Sequence, residues 1–316
     1  MGSMFSASCN SEARLDGKTA VITGANTGIG RETAKDFYIR GGRVILACRN
    51  IKKANEAIEE IKTECIGQQN LGELLAVCLD LSSLKSVRSC AEELLKTEKQ
   101  IDILVNNAGL FGIPYGKSKE NYELNFATNH LGHFLFTLLL MPIIIKSGSA
   151  RIVTVSSRLH ISVSSLDFSD LHYERRTYGA VKAYSESKLA NILFMNELAR
   201  QFKEKNINNV NVYSLHPGTV RSEAGRYLDD SWFRGSYWIW SNVLGLFGKS
   251  TKQGAQTSIY CSLDEKCAHE TGLYYAECKP VSPSQAARNE AAAKKLWEVS
   301  WKLVGLKEDF NPFRKL

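Results

Sequence analysis

The sequence has no run of about 18 consecutive apolar residues, so run length predicts no membrane-spanning helix. The nearest candidate, residues 134–145, contains Thr137 and Pro142 and favours a buried helix. No basic stripe accompanies the net charge of +7, and nucleic-acid binding is therefore not expected. The chain also has no internal repeat or low-complexity linker, and its 44% hydrophobic and 23% charged residues are typical of a globular protein.

The eight cysteines form no C-x-x-C pair, and no two histidines have the spacing of zinc ligands. No secretory signal and no N-x-[ST] acceptor is present, so we expect reduced thiols, no metal site and a cytoplasmic protein. Peripheral attachment to the endoplasmic reticulum or another membrane stays open. Residues 1–6 fit the myristoylation pattern M-G-x-x-x-[ST], with Cys9 nearby, but the favoured alternative is a cloning remnant before a native Met4.

From Lys18 onward, short β-branched and aliphatic runs alternate with helical stretches. This alternation predicts a single Rossmann-type, doubly wound α/β fold, in which helices cover both faces of a mostly parallel sheet. We predict one domain over residues 16–305, with tails at 1–15 and 306–316 and a lid-like insertion at about 220–249. The predicted strands are 19–23, 43–47, 74–79, 101–105, 151–155 and 211–215, and the predicted helices are 30–40, 51–64, 83–96, 128–146 and 179–203.

A glycine-rich turn joins the first predicted strand to the first predicted helix. Gly24 permits the tight turn, Gly28 allows the backbone to approach a pyrophosphate, and Gly30 allows the helix to pack closely on the strand. The helix N-terminus offers free N–H groups and a partial positive charge to phosphate. The position after the first strand favours dinucleotide binding over a plain turn. The predicted cofactor contacts in this turn are Gly24, Asn26, Thr27, Gly28, Ile29 and Gly30.

The end of the second strand favours NADP(H) over NAD(H). An NAD site usually has an acidic residue here that holds the ribose 2′-hydroxyl, whereas this chain has Cys48 and Arg49. A guanidinium matches a 2′-phosphate in charge and geometry, although a solvated surface arginine is the alternative. Further cofactor contacts are predicted where the third and fourth strands end, at Asp80, Leu81, Asn107, Ala108 and Gly109.

Tyr184 and Lys188 lie four residues apart in a predicted helix and share one face. A nearby ammonium favours the phenolate and lowers the tyrosine pKa, so the pair predicts a tyrosine that exchanges protons near neutral pH. Tyr178 and Lys182 have the same spacing, but they lie beside Gly179 at the irregular start of the helix. We therefore favour Tyr184 as the reacting tyrosine.

Hydroxyl and amide side chains near the strand ends complete the candidate site. One of the two hydroxyls of Ser156 and Ser157, after the fifth strand, is expected to hydrogen-bond the reacting oxygen. Asn129 is an unusual residue for an apolar helix, which indicates that its amide has a role inside the protein. His130 and His133 flank it and are interpreted as ordinary packing or surface residues, since no third ligand type joins them.

These motifs resemble the short-chain dehydrogenase/reductase family over residues 16–305. They are T-G-x-x-x-G-x-G at 23–30, N-N-A-G at 106–109, S-S at 156–157 and Y-x-x-x-K at 184–188, in that order. Finer segments resemble the NADP-preferring, retinol dehydrogenase 11/12/13/14-like branch, at 47–49, 125–133, 189–191, 216–222 and 254–257. That branch often has an apolar N-terminal anchor, which is not apparent here.

The resemblance implies a catalytic tetrad. Tyr184 is implied to be the acid/base, Lys188 to bind the nicotinamide ribose and lower the tyrosine pKa, and Ser157 to orient the substrate oxygen. Asn129 is implied to hold a water that links Lys188 to solvent. The resemblance also implies cofactor contacts near the nicotinamide, at Pro217, Gly218, Thr219 and Val220.

The resemblance implies NADP(H)-dependent interconversion of an apolar aldehyde or ketone and its alcohol, with retinal and retinol as the substrate pair of the branch. Trp232 and Trp238, in an aromatic segment at 232–247, are candidate substrate contacts in a lid, with core packing as the alternative. A carbonyl reductase for other lipid aldehydes or steroids and a non-catalytic NADPH-binding module are alternative functions. A homodimer also stays open.

Overall fold

A computed structural model describes residues 6–220 and 248–314, and eight strands within these residues form one sheet. The strands are β1 Thr19–Thr23, β2 Arg43–Cys48, β3 Glu73–Cys78, β4 Ile103–Asn106, β5 Ala150–Val155, β6 Val210–His216, β7 Leu273–Ala276 and β8 Lys279–Pro280. Their order is β3-β2-β1-β4-β5-β6-β7-β8. All neighbours pair in parallel except β7 and β8. This arrangement confirms the predicted fold class.

Helices cover the sheet on both faces. In the described residues they are α1 Gly28–Ile39, α2 Ile51–Glu64, α3 Leu84–Thr97, α4 Gly132–Lys146, α5 Ala180–Glu204, α6 Thr251–Leu263 and α7 Glu290–Leu303, and a π-helical turn, Phe126–Leu131, leads directly into α4. One buried apolar cluster contains side chains of α3, α4, α5 and α7, and the other contains side chains of α1, α2 and α6. The sheet therefore lies between two helical layers.

The central strands have apolar side chains on both sides because each face meets a helical layer. In β1, Val21 packs into the cluster beside α4, whereas Ala20 and Ile22 pack into the cluster beside α1. Successive side chains of a strand point to opposite faces, so two-sided burial requires an uninterrupted apolar run. Residues 19–23 form such a run, and every residue of it is buried.

The first six strands begin and end within two residues of their predicted bounds. The elements α6, β7, β8 and α7 were not predicted. The helix α7 packs on α5, where Trp297 contacts Phe194 with ring centroids 6.0 Å apart. The C-terminal part of the chain therefore packs on α5, which the alternation of strands and helices did not predict.

The helix Phe126–Lys146 corrects the expectation that run length excludes a membrane-spanning helix. It has 21 residues, and an 18-residue window of it has a mean hydropathy of 1.5, so by length and composition it is apolar enough to cross a membrane, although its uninterrupted apolar run is shorter. The polar residues Thr128, Asn129 and His130 interrupt the run without ending the helix. Because 94% of that 18-residue window of the helix is buried inside the protein, the interpretation as a buried helix is the one the structure supports.

Most of the predicted lid, including Trp232 and Trp238, lies outside the described residues. The segments predicted as tails contact the rest of the protein where they are described. The backbone N–H of Ala7 donates to the Glu277 carboxylate at 3.3 Å. The Phe313 ring stacks on Trp297 with centroids 6.5 Å apart.

Candidate active site

The site lies where the strand order reverses between β1 and β4, at the carboxyl ends of the strands. In an open α/β sheet this crevice is the usual place for a ligand. Thr23, the last residue of β1, accepts hydrogen bonds at Oγ1 from the backbone N–H groups of Asn107 and Ala108, both at 2.9 Å. The Asn107 amide donates to the Thr23 carbonyl at 2.9 Å. These bonds fix the predicted segment 107–109 beside the glycine-rich turn.

The glycines of the glycine-rich turn allow a close approach of backbone segments because they have no Cβ. A Cβ added to Gly30 would lie 2.5 Å from Asn107 Nδ2, and one added to Gly24 would lie 2.9 Å from the Ala108 Cβ. Gly24 and Gly28 also have positive φ angles of 64° and 60°. Thr27 is the N-cap of α1, and its side chain makes no capping hydrogen bond. The Thr27 side chain therefore does not occupy the N–H groups of the first turn. A helix that binds phosphate needs these N–H groups for the ligand.

Arg49 and Cys48 differ in exposure at the end of β2. Arg49 is exposed, whereas Cys48 is buried against the turn. Burial raises the pKa of the Cys48 thiol to about 11, and the nearby backbone N–H groups of Ala25, Asn26 and Gly24 oppose this shift. An uncharged thiol thus packs under the turn, and the guanidinium next to it faces solvent.

Asp80 and Leu81, two of the predicted cofactor contacts, also make contacts within the protein. Asp80 Oδ1 accepts hydrogen bonds from the backbone N–H of Ser82 at 3.0 Å and from its hydroxyl at 2.6 Å. Leu81 is buried, and a Cβ on Gly132 would lie 2.5 Å from the Leu81 carbonyl oxygen. These contacts hold the end of β3 against the start of α4.

The hydroxyl of Ser157 lies close enough to the phenol of Tyr184 to lower its pKa. Tyr184 comes from the second turn of α5, and Ser157 directly follows the end of β5. Burial raises the pKa of Tyr184 to about 12, and the nearby Ser157 hydroxyl opposes the shift. The direction differs from that expected for a tyrosine four residues before a lysine, because the cost of burying the phenolate is the largest contribution.

Lys188 is buried one helical turn after Tyr184. Its Nζ donates to the Val155 carbonyl at 2.8 Å and lies 5.6 Å from the centroid of the Tyr184 ring. Burial lowers the pKa of Lys188 to about 8. The hydroxyl of Ser156 donates to the Lys188 carbonyl at 2.7 Å, so Ser156 ties α5 to β5. The two serines thus differ, because Ser157 lies beside the Tyr184 phenol whereas Ser156 donates to the backbone of α5.

Asn129 lies inside the π-helical turn and is fully buried. Its Oδ1 accepts from the Leu110 N–H at 2.8 Å, and its Nδ2 donates to the Leu110 carbonyl at 3.0 Å and to the Ser187 hydroxyl at 2.9 Å. A Cβ on Gly109 would lie 3.3 Å from Lys188 Nζ and 3.5 Å from Asn129 Oδ1. The four residues of the predicted tetrad therefore converge at one edge of the sheet, with Gly109 opening onto two of them.

Two histidines and one aromatic residue at the site were not identified from the sequence. His133 Nε2 lies 2.8 Å from Thr23 Oγ1, and His160 Nδ1 lies 2.7 Å from the Ser157 carbonyl oxygen. Phe111 packs edge-on against Tyr184, with ring centroids 4.7 Å apart. His133 and its neighbour His130 are both buried, so of the two interpretations offered for them, packing is correct and surface exposure is wrong.

The segment after β6 is described as far as Val220, which forms an isolated parallel bridge with Lys249. A Cβ on Gly218 would lie 2.7 Å from Lys249 Cδ, and one on Gly254 would lie 2.5 Å from Val220 Cγ2. The backbone N–H of Lys249 donates to the Thr219 carbonyl at 2.8 Å. These close contacts hold residues 217–220, the predicted nicotinamide-side contacts, against the start of α6.

Comparisons with known proteins agree with this geometry. A sequence model of the short chain dehydrogenase family matches residues 18–231. Human retinol dehydrogenase 11 is 44% identical over 95% of this chain and 90% of its own length, and mouse retinol dehydrogenase 12 is 42% identical over 94% and 90%. A structure of 7α-hydroxysteroid dehydrogenase complexed with NADH and 7-oxo glycochenodeoxycholic acid is 25% identical over 85% of this chain and 96% of that one, with a TM-score of 0.62.

The extent of the family match, the identity to both retinol dehydrogenases and the crevice between β1 and β4 lead to one assignment. The chain belongs to the short-chain dehydrogenase family of nicotinamide-dependent oxidoreductases, in the branch that resembles the retinol dehydrogenases 11, 12, 13 and 14.

Proposed function

We propose that the protein uses NADP(H) to interconvert an apolar aldehyde or ketone and its alcohol, and that retinal and retinol are its substrate pair. The convergence of Tyr184, Ser157 and Lys188 at the carboxyl edge of the sheet is the observation that carries this proposal. Two hydroxyls that meet at the carboxyl edge of the sheet can both contact one substrate oxygen. An oxidoreductase that acts on a carbonyl needs such a proton donor beside its cofactor.

Each side chain of the tetrad has a distinct task in the proposed reaction. A bound nicotinamide supplies the hydride to the carbonyl carbon, or accepts it in the reverse direction. Tyr184 donates its proton to the carbonyl oxygen, and Ser157 donates a hydrogen bond that orients this oxygen. Lys188 adds positive charge beside the phenol, which favours the phenolate that remains after proton transfer.

Proton return to Tyr184 is proposed to run past Lys188 and Asn129. Gly109 has no side chain, and the space beside it opens onto Lys188 Nζ and Asn129 Oδ1. Both N–H groups of the Asn129 amide are already engaged, but its Oδ1 can accept a second hydrogen bond. A water in this space would touch both residues and would connect Lys188 with solvent.

The preference for NADP(H) is supported by Arg49. Its guanidinium is exposed at the end of β2, and the residue before it is an uncharged cysteine rather than an aspartate. A 2′-phosphate would gain charge-assisted hydrogen bonds from Arg49. The other proposed cofactor contacts are Gly24, Asn26, Thr27, Gly28, Ile29, Gly30, Asp80, Leu81, Asn107, Ala108, Gly109 and residues 217–220.

The retinoid substrate is supported by the relatives, which are named retinol dehydrogenases. Other lipid aldehydes and steroids are the alternative substrates, and the similarity to a steroid dehydrogenase supports that alternative. We also propose that the protein is cytoplasmic and associates with membranes peripherally, which co-sedimentation with liposomes would test. Light scattering would test whether the protein forms a homodimer.

The decisive experiment follows NADPH oxidation with all-trans-retinal, medium-chain aldehydes, steroids and quinones as substrates. We expect the highest kcat/KM with retinal, and equal rates with all four classes would contradict the retinoid assignment. Tyr184→Phe should lower kcat by about 100-fold or more while NADPH binding is kept, because only the proton donor is removed. Tyr213→Phe is the matched control, since the Tyr213 hydroxyl donates to the Cys267 carbonyl and to no residue of the tetrad.

A further inference from the structure

Tyr178 belongs to the second Y-x-x-x-K pair, and the structure gives its hydroxyl two partners in distant segments. It donates to the Ile113 carbonyl at 3.0 Å and accepts from Asn125 Nδ2 at 3.0 Å. Its ring also packs edge-on against Tyr115 and Tyr173, with centroids 5.3 and 5.2 Å away. Tyr178 therefore joins the loop after β4 to the residues that precede the π-helical turn.

The amide that faces Tyr178 is itself fixed. Glu123 is 1% exposed, and its Oε1 accepts hydrogen bonds from the backbone N–H and the side-chain Nδ2 of Asn125, at 2.9 and 3.0 Å. Its Oε2 accepts from the Phe126 N–H at 2.7 Å. A buried carboxylate with three donors holds its neighbours firmly, so Asn125 offers the Tyr178 hydroxyl a fixed donor.

The loop after β4 is consequently held at two points. Asn129 binds both the N–H and the carbonyl of Leu110, and Tyr178 binds the carbonyl of Ile113. Phe111 lies between these two points, is 7% exposed, and packs edge-on against the Tyr184 ring. The position of Phe111 beside the reacting phenol thus depends on one member of the predicted tetrad and on Tyr178.

We propose that Tyr178 is a positioning residue that, through the Ile113 carbonyl, holds Phe111 against Tyr184 as the wall on which the apolar part of the substrate packs. This inference rests on the proposed function. A rigid apolar wall contributes to binding in proportion to the substrate area that it covers. Tyr178 therefore favours large apolar carbonyl substrates over small ones and has no effect on cofactor binding.

The main test is Tyr178→Phe, which removes the hydroxyl and keeps the ring. Loss of one neutral hydrogen bond predicts about a fivefold to tenfold rise in KM for retinal. We expect the KM for propanal and the dissociation constant of NADPH to change by less than about twofold, because neither propanal nor NADPH packs on this wall. An equal change in KM for retinal and propanal would overturn the proposal.

Tyr173→Phe is the matched control. Tyr173 packs against Tyr178, but its hydroxyl donates to Glu186 at 2.9 Å and does not contact the loop after β4. The control should keep the ratio of the two KM values. If it changes that ratio as much as Tyr178→Phe does, the effect comes from general loosening of this region and the proposal is wrong.

A double-mutant cycle tests whether Tyr178 acts through Phe111. Phe111→Leu shortens the wall and should itself reduce the preference for retinal over propanal. In the Phe111→Leu background, Tyr178→Phe should then change the ratio of KM values by less than about twofold, because coupled residues give non-additive effects. Independent, multiplying effects would show that Tyr178 does not act through this wall.

Hydrogen exchange gives a readout that needs no turnover. Exchange of the backbone amides at 110–113 should become about tenfold faster in Tyr178→Phe, while the amides of β1 stay unchanged. Unchanged exchange at 110–113 would overturn the inference even if the protein reduces retinal. If the wild type reduces no carbonyl compound, the proposed function fails, and the exchange result alone shows whether Tyr178 holds the loop.

Discussion

At the scale of the residue, the candidate site is governed by burial. Tyr184 and Lys188 share a helix face, but burial raises the pKa of the phenol to about 12 and lowers that of the ammonium to about 8. Both shifts favour the uncharged side chains. The chain alone therefore holds a protonated phenol at neutral pH, which is the state that reduction of a carbonyl requires.

Arg49 gives a prediction about cofactor choice. Arg49→Ala should raise the KM for NADPH by about 10- to 100-fold, the value of one or two charge-assisted hydrogen bonds to a 2′-phosphate. The KM for NADH should change by less than about twofold, since NADH has no 2′-phosphate. Steady-state kinetics with both cofactors measures the ratio.

Lys62→Ala is the control for loss of positive charge, because Lys62 pairs with Glu59 at the opposite end of α2. It should leave both KM values unchanged. An Arg49 variant that weakens NADH and NADPH equally would indicate that Arg49 contacts a part shared by both cofactors.

At the scale of the element, the contact between α1 and the end of β4 limits what Gly30 can be. Gly30→Ala should lower the free energy of unfolding by about 1–3 kcal/mol and weaken cofactor binding, because its Cβ would lie 2.5 Å from Asn107 Nδ2 and 2.7 Å from the Gly24 carbonyl oxygen. Urea denaturation and cofactor titration measure the two effects. Gly116→Ala is the control, since its Cβ would make only ordinary contacts with Leu124.

The helix α7 is joined to the π-helical turn by one buried polar contact. Ser300 Oγ lies 2.8 Å from His130 Nε2, and both residues are fully buried. Ser300→Ala should lower the free energy of unfolding by about 1–3 kcal/mol, because it leaves the imidazole without this partner. The exposed neighbour Lys302, changed to alanine, should alter stability by less than about 0.5 kcal/mol. Equal stability of both variants would contradict this role for Ser300.

The sequence predicted the elements that have strong local signals. The strands β1 to β6 were found because strands buried on both faces need continuous apolar runs. The helix α6 also has a local signal, a capping box between Ser250 and Gln253, and α7 has an Asn289 cap, although neither helix was predicted. The strand β7 has only four residues, and its pairing with β6 depends on the preceding helix.

The tetrad was identified from motifs, whereas its surroundings were not. The contact of His133 with Thr23 joins residues 110 positions apart, and that of His130 with Ser300 joins residues 170 positions apart. No local pattern encodes such contacts, because packing between elements decides them. The raised pKa of Tyr184 was missed for the same reason, since spacing shows the lysine but not the extent of burial.

At the scale of the whole molecule, histidines with lowered pKa values make stability depend on pH. Burial lowers the pKa of His130 to about 3 and those of His133 and His216 to about 4. Unfolding returns each to about 6.5, so the unfolded chain binds more protons below that pH. The free energy of unfolding should therefore fall as the pH decreases from 6.5 to about 4, by up to about 1.4 kcal/mol per pH unit for each histidine.

Urea denaturation at a series of pH values measures this dependence. Burial raises the pKa of Glu123, and protonation of that carboxyl acts in the opposite direction and reduces the slope. His216→Gln should reduce the slope further without removing the contacts of the other two histidines. A free energy of unfolding that stays constant between pH 6.5 and 4.5 would contradict the assignment of these histidines as neutral.

The last turn of α7 has a genetic consequence. The Tyr122 hydroxyl donates to the Leu303 carbonyl at 2.9 Å, and Arg88 donates to the Val304 carbonyl at 2.6 Å. A nonsense mutation near codon 289 would leave every motif of the tetrad intact, yet it would uncover the apolar surface of α5 and remove these acceptors. The expected product is a polypeptide that chaperones retain and proteases degrade, so such an allele would behave as a null.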